Sequence, residues 1–314
     1  MAQHALARER LFALRETIAR LEGKPAPALA AAEREALADG GKTQRRRSLP
    51  PLAFGVECLD EALEGGLPLD AITEFRSALS RDAGAASGLA LAVAARLQSQ
   101  EAAAGRLSPL LWIGDAVGTL EAGRPYVPGL RDFGLSPERF FHAAPRKLDE
   151  ALWLVETAVE SAAFSAVIFE VRGNPAHFGL TESRRLSLRA RAARRPLFLV
   201  RQAGEEEASS AAFRLHVEPA PSGLQPLPDG SKLSGSIGNP IFRLTLEKGR
   251  NPAPLCFFLE WNPHEREFLP VAEPNLVRPP GEQSAHSGAQ LSASANGPHR
   301  PQAMGALLAF DRAS

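Results

Sequence analysis

The sequence predicts an α/β fold: a mostly parallel central sheet flanked by helices, with antiparallel C-terminal strands, an N-terminal helix and a disordered C-terminal tail. Three observations predict it. From residue 53 short apolar runs alternate with helical periodicities, the rhythm of parallel strands joined by covering helices. Beyond residue 213 the apolar runs continue with only Pro, Gly and charge between them, as in antiparallel strands extending the same sheet. The apolar share of 44% over 314 residues is enough for one sizeable core with appendages.

Residues 1–23 form the first unit. Leu11, Leu14, Ile18 and Leu21 recur at spacings of three and four, while Arg8, Glu9, Arg10, Arg15, Glu16, Arg20 and Glu22 occupy the other faces. This is an amphipathic helix with a narrow seam, and it either docks on another molecule or packs on its own domain. Gly23, Pro25 and Pro27 break the periodicity, and residues 24–52, rich in Ala, Gly and charge, read as a flexible linker.

The core spans residues 53–271. Its strands are expected at 71–75, 109–114, 139–143, 165–171 and 196–201, with helices at 84–104, 147–163 and 181–195. Further strands are expected at 213–217, 240–246 and 255–261. Residues 272–314 lose the core-forming side chains and are punctuated by Pro, Gly and Ser, a composition that cannot offset chain entropy. That tail nevertheless carries Leu307, Leu308 and Phe310, which read either as a docking peptide or as residual hydrophobicity.

Charge and cysteine usage exclude several classes. The 36 basic and 36 acidic side chains cancel, so bulk charge does not point to a polyanionic partner. No apolar run approaches a membrane span and the first residues lack a signal core, so neither membrane insertion nor secretion is expected. With only Cys58 and Cys256 and scattered histidines, neither a disulfide framework nor a metal site is expected. These features suggest a cytoplasmic protein.

Residues 55–75 are the most informative stretch. Leu59 and Leu63 share a helix face, Asp60 follows the first, Gly65 and Gly66 stop the helix, and Pro68 turns the chain into the apolar run that holds Ile72, Glu74 and Phe75. This segment resembles the one that precedes the first central strand in RecA-type cores, and the resemblance extends over residues 53–262. It implies a phosphate-binding loop, G-x-x-x-x-G-K-[ST], after that strand. Here Gly84, Ala85 and Ala86 stand where Gly-Lys-Thr is required, and no lysine lies between Lys42 and Lys147. Arg76 and Arg81 could supply positive charge, but neither occupies the required place. Asp115 stands for a catalytic Glu and Glu170 for a magnesium-binding Asp; the alternative is that both are relics or satisfy neighbouring arginines. No catalysis and no cofactor are expected.

A RecA-like core with an eroded phosphate loop, preceded by a helix and a linker, resembles the ImuA (inducible mutagenesis A) family. The helix over 181–195 and the late strands around Phe242 and Trp261 support the likeness. It implies a nucleoid-associated accessory protein of damage-induced translesion synthesis. The implied partners are an ImuB-like polymerase homologue, an error-prone DNA polymerase III alpha-type subunit and RecA, with DNA contacted directly or through them. The alternatives are a SulA-type cell-division inhibitor, although those proteins are shorter, and a divergent recombination ATPase.

One charge asymmetry stands out. Residues 172–201 hold eight arginines and one acidic residue, Glu182. Arg184, Arg191 and Arg195 follow one helical stripe, Arg185 and Arg189 an adjoining one, and Arg194 lies beside them. The stripe reads as a solvated face, a protein-docking surface or a phosphate contact. Against DNA stand the consecutive carboxylates Glu205, Glu206 and Glu207, which would repel a phosphate backbone.

Overall fold

The computed structural model describes residues 49–272, apart from 226, 228, 230 and 250–254. The expected helix seam of Leu11, Leu14, Ile18 and Leu21 and the tail residues Leu307, Leu308 and Phe310 lie outside the described residues.

The chain enters the core at Leu52, which is buried and exchanges both backbone hydrogen bonds with Leu67, at 2.8 and 2.9 Å. Between them lies α1 (Glu57–Ala62), whose Asp60 carboxylate accepts the N–H groups of Phe54 at 2.7 Å and Gly55 at 2.8 Å. Gly66 makes the reversal possible. Its φ is +126°, and a Cβ there would stand 2.4 Å from the Leu52 carbonyl oxygen, so only glycine lets the two segments meet.

Nine described strands follow: β1 (Ile72–Arg76), β2 (Leu110–Ile113), β3 (Phe140–Ala143), β4 (Ala166–Arg172), β5 (Leu197–Gln202), β6 (Phe213–Ala220), β7 (Ile241–Lys248), β8 (Leu255–Asn262) and β9 (Glu267–Pro270). They form one sheet in the order β3-β2-β4-β5-β1-β6-β7-β8-β9. Every neighbouring pair from β3 to β6 is parallel, and β6 to β9 are antiparallel. The α/β sheet with antiparallel C-terminal strands is therefore as the sequence predicts, with one correction. β6 runs parallel to β1 and is antiparallel only to β7. The chain from β5 reaches it by running back along β1 through residues 203–212 without a helix, from Gly204 bonded to Ser77 beyond the end of β1 to Ala212 bonded to Ile72 at its start, a connection that periodicity cannot reveal.

Helices cover both faces. The Ala-rich α2 (Ala83–Ala103) packs with α1 over one side, in a core that includes Phe54, Leu59, Phe75, Leu89, Phe198 and Trp261. On the other side α5 (Leu148–Ser161) and α6 (Leu180–Ala193) bury Leu152, Val155, Leu186 and Ala190 against Ile113, Phe169 and Leu199. Two short helices, α3 (Ala116–Ala122) and α4 (Val127–Asp132), and strand β9 have no counterpart among the expected elements. Each is seven residues or fewer, too short for an apolar period to register. No described helix is long and apolar enough to cross a membrane.

Candidate functional site

The parallel strands β1, β2, β4 and β5 end on one edge of the sheet, where α/β folds place their ligands. At the β1–α2 junction the phosphate-binding turn is missing as a structure as well as a motif. A 3₁₀ turn over Ser80–Asp82 runs directly into α2. Asp82, the N-cap residue, is buried and puts a carboxylate where a phosphate would need cationic and N–H donors. Ala85 and Ala86 face the core, with Ala86 fully buried, so their side of the helix has no opening for a phosphate-binding lysine. Gly84 has open space beside it.

Arg76 does not supply the missing charge. Its Nε donates to the Glu247 carboxylate at 3.0 Å and its Nη1 to the Gly204 carbonyl at 2.7 Å. A second Arg76–Glu247 contact makes the pair bidentate. The residues present therefore do not fit a magnesium nucleoside triphosphate.

Asp115 and Glu170 meet on the same edge, but neither pairs with an arginine in the way the sequence suggested. Asp115 is the N-cap of α3, its carboxylate accepting the Gly118 N–H at 2.8 Å. Glu170 accepts from the Trp112 indole N–H at 3.0 Å and from the Gln202 amide, which also reaches Ser87 Oγ at 3.1 Å. Burial pushes the Glu170 carboxyl above the usual carboxylate range, and the nearby Asp115 charge adds to this against the donors around it. A Cβ at Gly114 would stand 2.9 Å from His142 Nε2, and burial, with Arg124 nearby, holds that imidazole below the ordinary value. The side chains of Ser87, Gln202 and Trp112 thus close on Glu170, linking α2, β5, β2 and β4. Among the described residues, no three His, Cys, Asp or Glu side chains converge as a metal site requires.

The adjacent strand ends hold a network that the sequence reading missed. Glu74, fully buried in the centre of β1, lies 2.9 Å from Arg201 Nε and 3.1 Å from Arg214 Nε and accepts the Ser209 hydroxyl at 2.8 Å. Both arginines are 2% exposed. Arg201 also donates to the Gly173 carbonyl at 2.9 Å and lies over the Phe178 ring. Burial opposes the charge of Glu74, yet Arg214 and Arg201 hold its carboxyl below the usual range. Glu206 and Glu207 complete the set from above, each 3.6 Å from one of the arginines. The Glu206 and Glu207 carboxylates are therefore turned toward buried cations, and this part of the loop fastens the β5–β6 crossover. An acidic residue inside an apolar strand was the available signal, because a buried charge requires a partner.

The arginines of α6 divide by role. Arg185 and Arg189 bridge to α5, at 2.5 and 3.1 Å from Glu156, and Arg189 also pairs with Glu160. Arg195, beyond the helix, lies 3.7 Å from the buried Glu101 of α2. Arg184, Arg191 and Arg194 are exposed on the far flank, Arg194 as the left-handed C-cap. The stripe is thus partly a helix-to-helix fastening, and its surface share is smaller than the count of arginines suggests.

No family model matches the chain, and no curated protein sequence matches it. A crystal structure of the RadB recombinase is distantly similar in fold, at a TM-score of 0.45 and 18% identity, over 70% of this chain and 100% of that one.

Proposed function

We propose that this chain is a non-catalytic RecA-like accessory protein of damage-induced translesion synthesis. In this reading it serves as an adaptor for an ImuB-like polymerase homologue, an error-prone polymerase III alpha-type subunit and RecA. The observation that carries the reading is the β1–α2 junction, where a 3₁₀ turn, the Asp82 carboxylate and the buried Ala85 and Ala86 replace the phosphate cradle. A core that keeps its sheet while filling that position has exchanged nucleotide chemistry for a scaffold role. The partners come from the resemblance in the sequence, and the flank carrying Arg184, Arg191 and Arg194 is the surface offered to them or to DNA.

The test is the frequency of damage-induced mutations in a deletion strain, complemented from a plasmid, with cell length scored in the same cultures. Loss of induced mutations with normal division is the expected result. Undiminished mutagenesis refutes it, and shorter cells after damage transfer the assignment to a division inhibitor. Purified protein hydrolysing ATP above a control preparation refutes the non-catalytic part.

A further inference from the structure

On the outer side of α5 and α6 the described fold leaves apolar surface uncovered. Arg185 and Arg189 of α6 hold Glu156 of α5, and Arg189 also holds Glu160, so the two helices are fastened to each other. Along that ladder runs a groove of about 510 Å³, lined by Glu160, Leu188, Arg189, Ala192 and Ala193. Trp153 stands on the stripe of α5 that holds Glu156 and Glu160, three and seven positions before them, and is 67% exposed. Leu188 on α6 is 56% exposed, whereas Trp112 and Trp261 are 5% and 0% exposed. An uncovered tryptophan beside arginines has the composition of an interface anchor.

The same chain carries a complementary segment and the reach to deliver it. The sequence predicts a helix before residue 24 whose seam of Leu11, Leu14, Ile18 and Leu21 is about 15 Å long. Arg8 and Arg15 flank that seam on the helical wheel, and α5 presents exposed Asp149, Glu150 and Glu160 with no basic residue of its own. The core also begins near the end of the groove. Leu52 pairs with Leu67, the Ala71 carbonyl accepts the Leu197 N–H at 3.1 Å, and Leu197 follows Ala193 by four residues. Two such four-residue steps and two strand pairings put Leu52 within about 40 Å of Ala193. Residues 24–48 span roughly 25–30 Å as a flexible chain and more than about 80 Å fully extended.

We propose that residues 1–23 dock as a helix in the α5–α6 groove of their own chain, the seam covering Trp153, Leu188 and Ala192 with Arg8 and Arg15 toward α5. The tether makes the contact intramolecular, at an effective concentration that favours the chain's own groove over a neighbour's. Docked in this way the segment is a removable cover, and a partner that takes either the seam or the groove competes with it. The inference does not depend on the translesion reading.

Trp153 reports on the cover directly, because the other two of the chain's three tryptophans are buried. The experiment is iodide quenching of tryptophan fluorescence in the full chain, with the molecular mass followed by sedimentation. The wild type should resist iodide as a monomer, at every protein concentration. Leu14→Asp with Ile18→Asp, changes outside the core, should make the share of one tryptophan in three quenchable, and Trp153→Phe in that background should remove the quenchable share. Leu188→Arg, at an exposed position of the groove, should release Trp153 as well. A wild-type Trp153 already open to iodide overturns the proposal, as does one that stays protected when the seam is broken. Protection that is lost on dilution together with a dimer assigns the groove to a second copy and also overturns it.

Discussion

Replacing Glu74 by Gln removes one charge from the least exposed ion cluster described, with almost no change of shape. The amide oxygen can still accept from one arginine, but the NH₂ group then faces the other guanidinium, and two arginines at 2% exposure lose their central anion. Removing one member of a buried pair costs about 3–5 kcal/mol, a large share of the ~5–15 kcal/mol that holds a domain together. One retained hydrogen bond puts the expected loss near the lower figure, about 3 kcal/mol, or a fall in midpoint of roughly 6–12 °C for a domain of this size. The assay is urea unfolding followed by tryptophan fluorescence, with Arg131→Gln as the comparison. Arg131 and Glu138 are 3.0 Å apart but 66% and 69% exposed, and a pair of that kind is worth about 0–1 kcal/mol. The pH dependence carries a sign. Because the folded carboxyl of Glu74 sits below its unfolded value, its contribution is complete above the ordinary carboxylate range and is lost as pH falls through the folded value. Wild-type stability should therefore drop on strong acidification more steeply than that of the Gln variant. If Glu74→Gln costs no more than Arg131→Gln, the network does not hold the crossover and the reasoning fails.

Three further outcomes are expected. Gly66→Ala should cost about 3 kcal/mol or prevent folding, because φ +126° and the Leu52 carbonyl at 2.4 Å both exclude a Cβ; a melting scan decides it. The double change Ala85→Lys with Ala86→Thr should not create magnesium-ATP binding in a fluorescent-nucleotide titration, and overpacking at the fully buried Ala86 should cost about 1–3 kcal/mol; binding would show that only the motif was missing. Glu170 has the opposite sign to Glu74: its folded carboxyl is raised, so the native state holds the proton at higher pH than the unfolded chain, and falling pH relieves the buried charge between the unfolded and folded values. The stability difference between wild type and Glu170→Gln should shift in favour of the wild type as pH is lowered from neutrality toward 5; paired unfolding curves with a constant difference would contradict this.

The strands of the parallel half were legible because β-sheet burial on both faces writes continuous apolar runs, as in Ile168, Phe169, Leu197 and Phe198. The turn at Gly65 and Gly66 was legible for a local reason too, since positive φ has few alternatives to glycine. So was the missing lysine of the phosphate loop. Short elements were not: α3 and α4 carry less than one full apolar repeat, and β9 is four residues held by its neighbour.

Sequence alone thus determined the class of the fold, the helix–turn–strand segment ahead of β1 and the absence of a phosphate-binding motif, because each follows from contacts between residues close along the chain. Tertiary structure alone decided which charges meet. Glu74 finds Arg201 and Arg214 from 127 and 140 positions away, Arg76 finds Glu247, and Glu170 takes Trp112 and Gln202 in place of an arginine. Pairing of that kind depends on strand order, and strand order is set by burial of the whole sheet, to which no single segment's pattern is a guide.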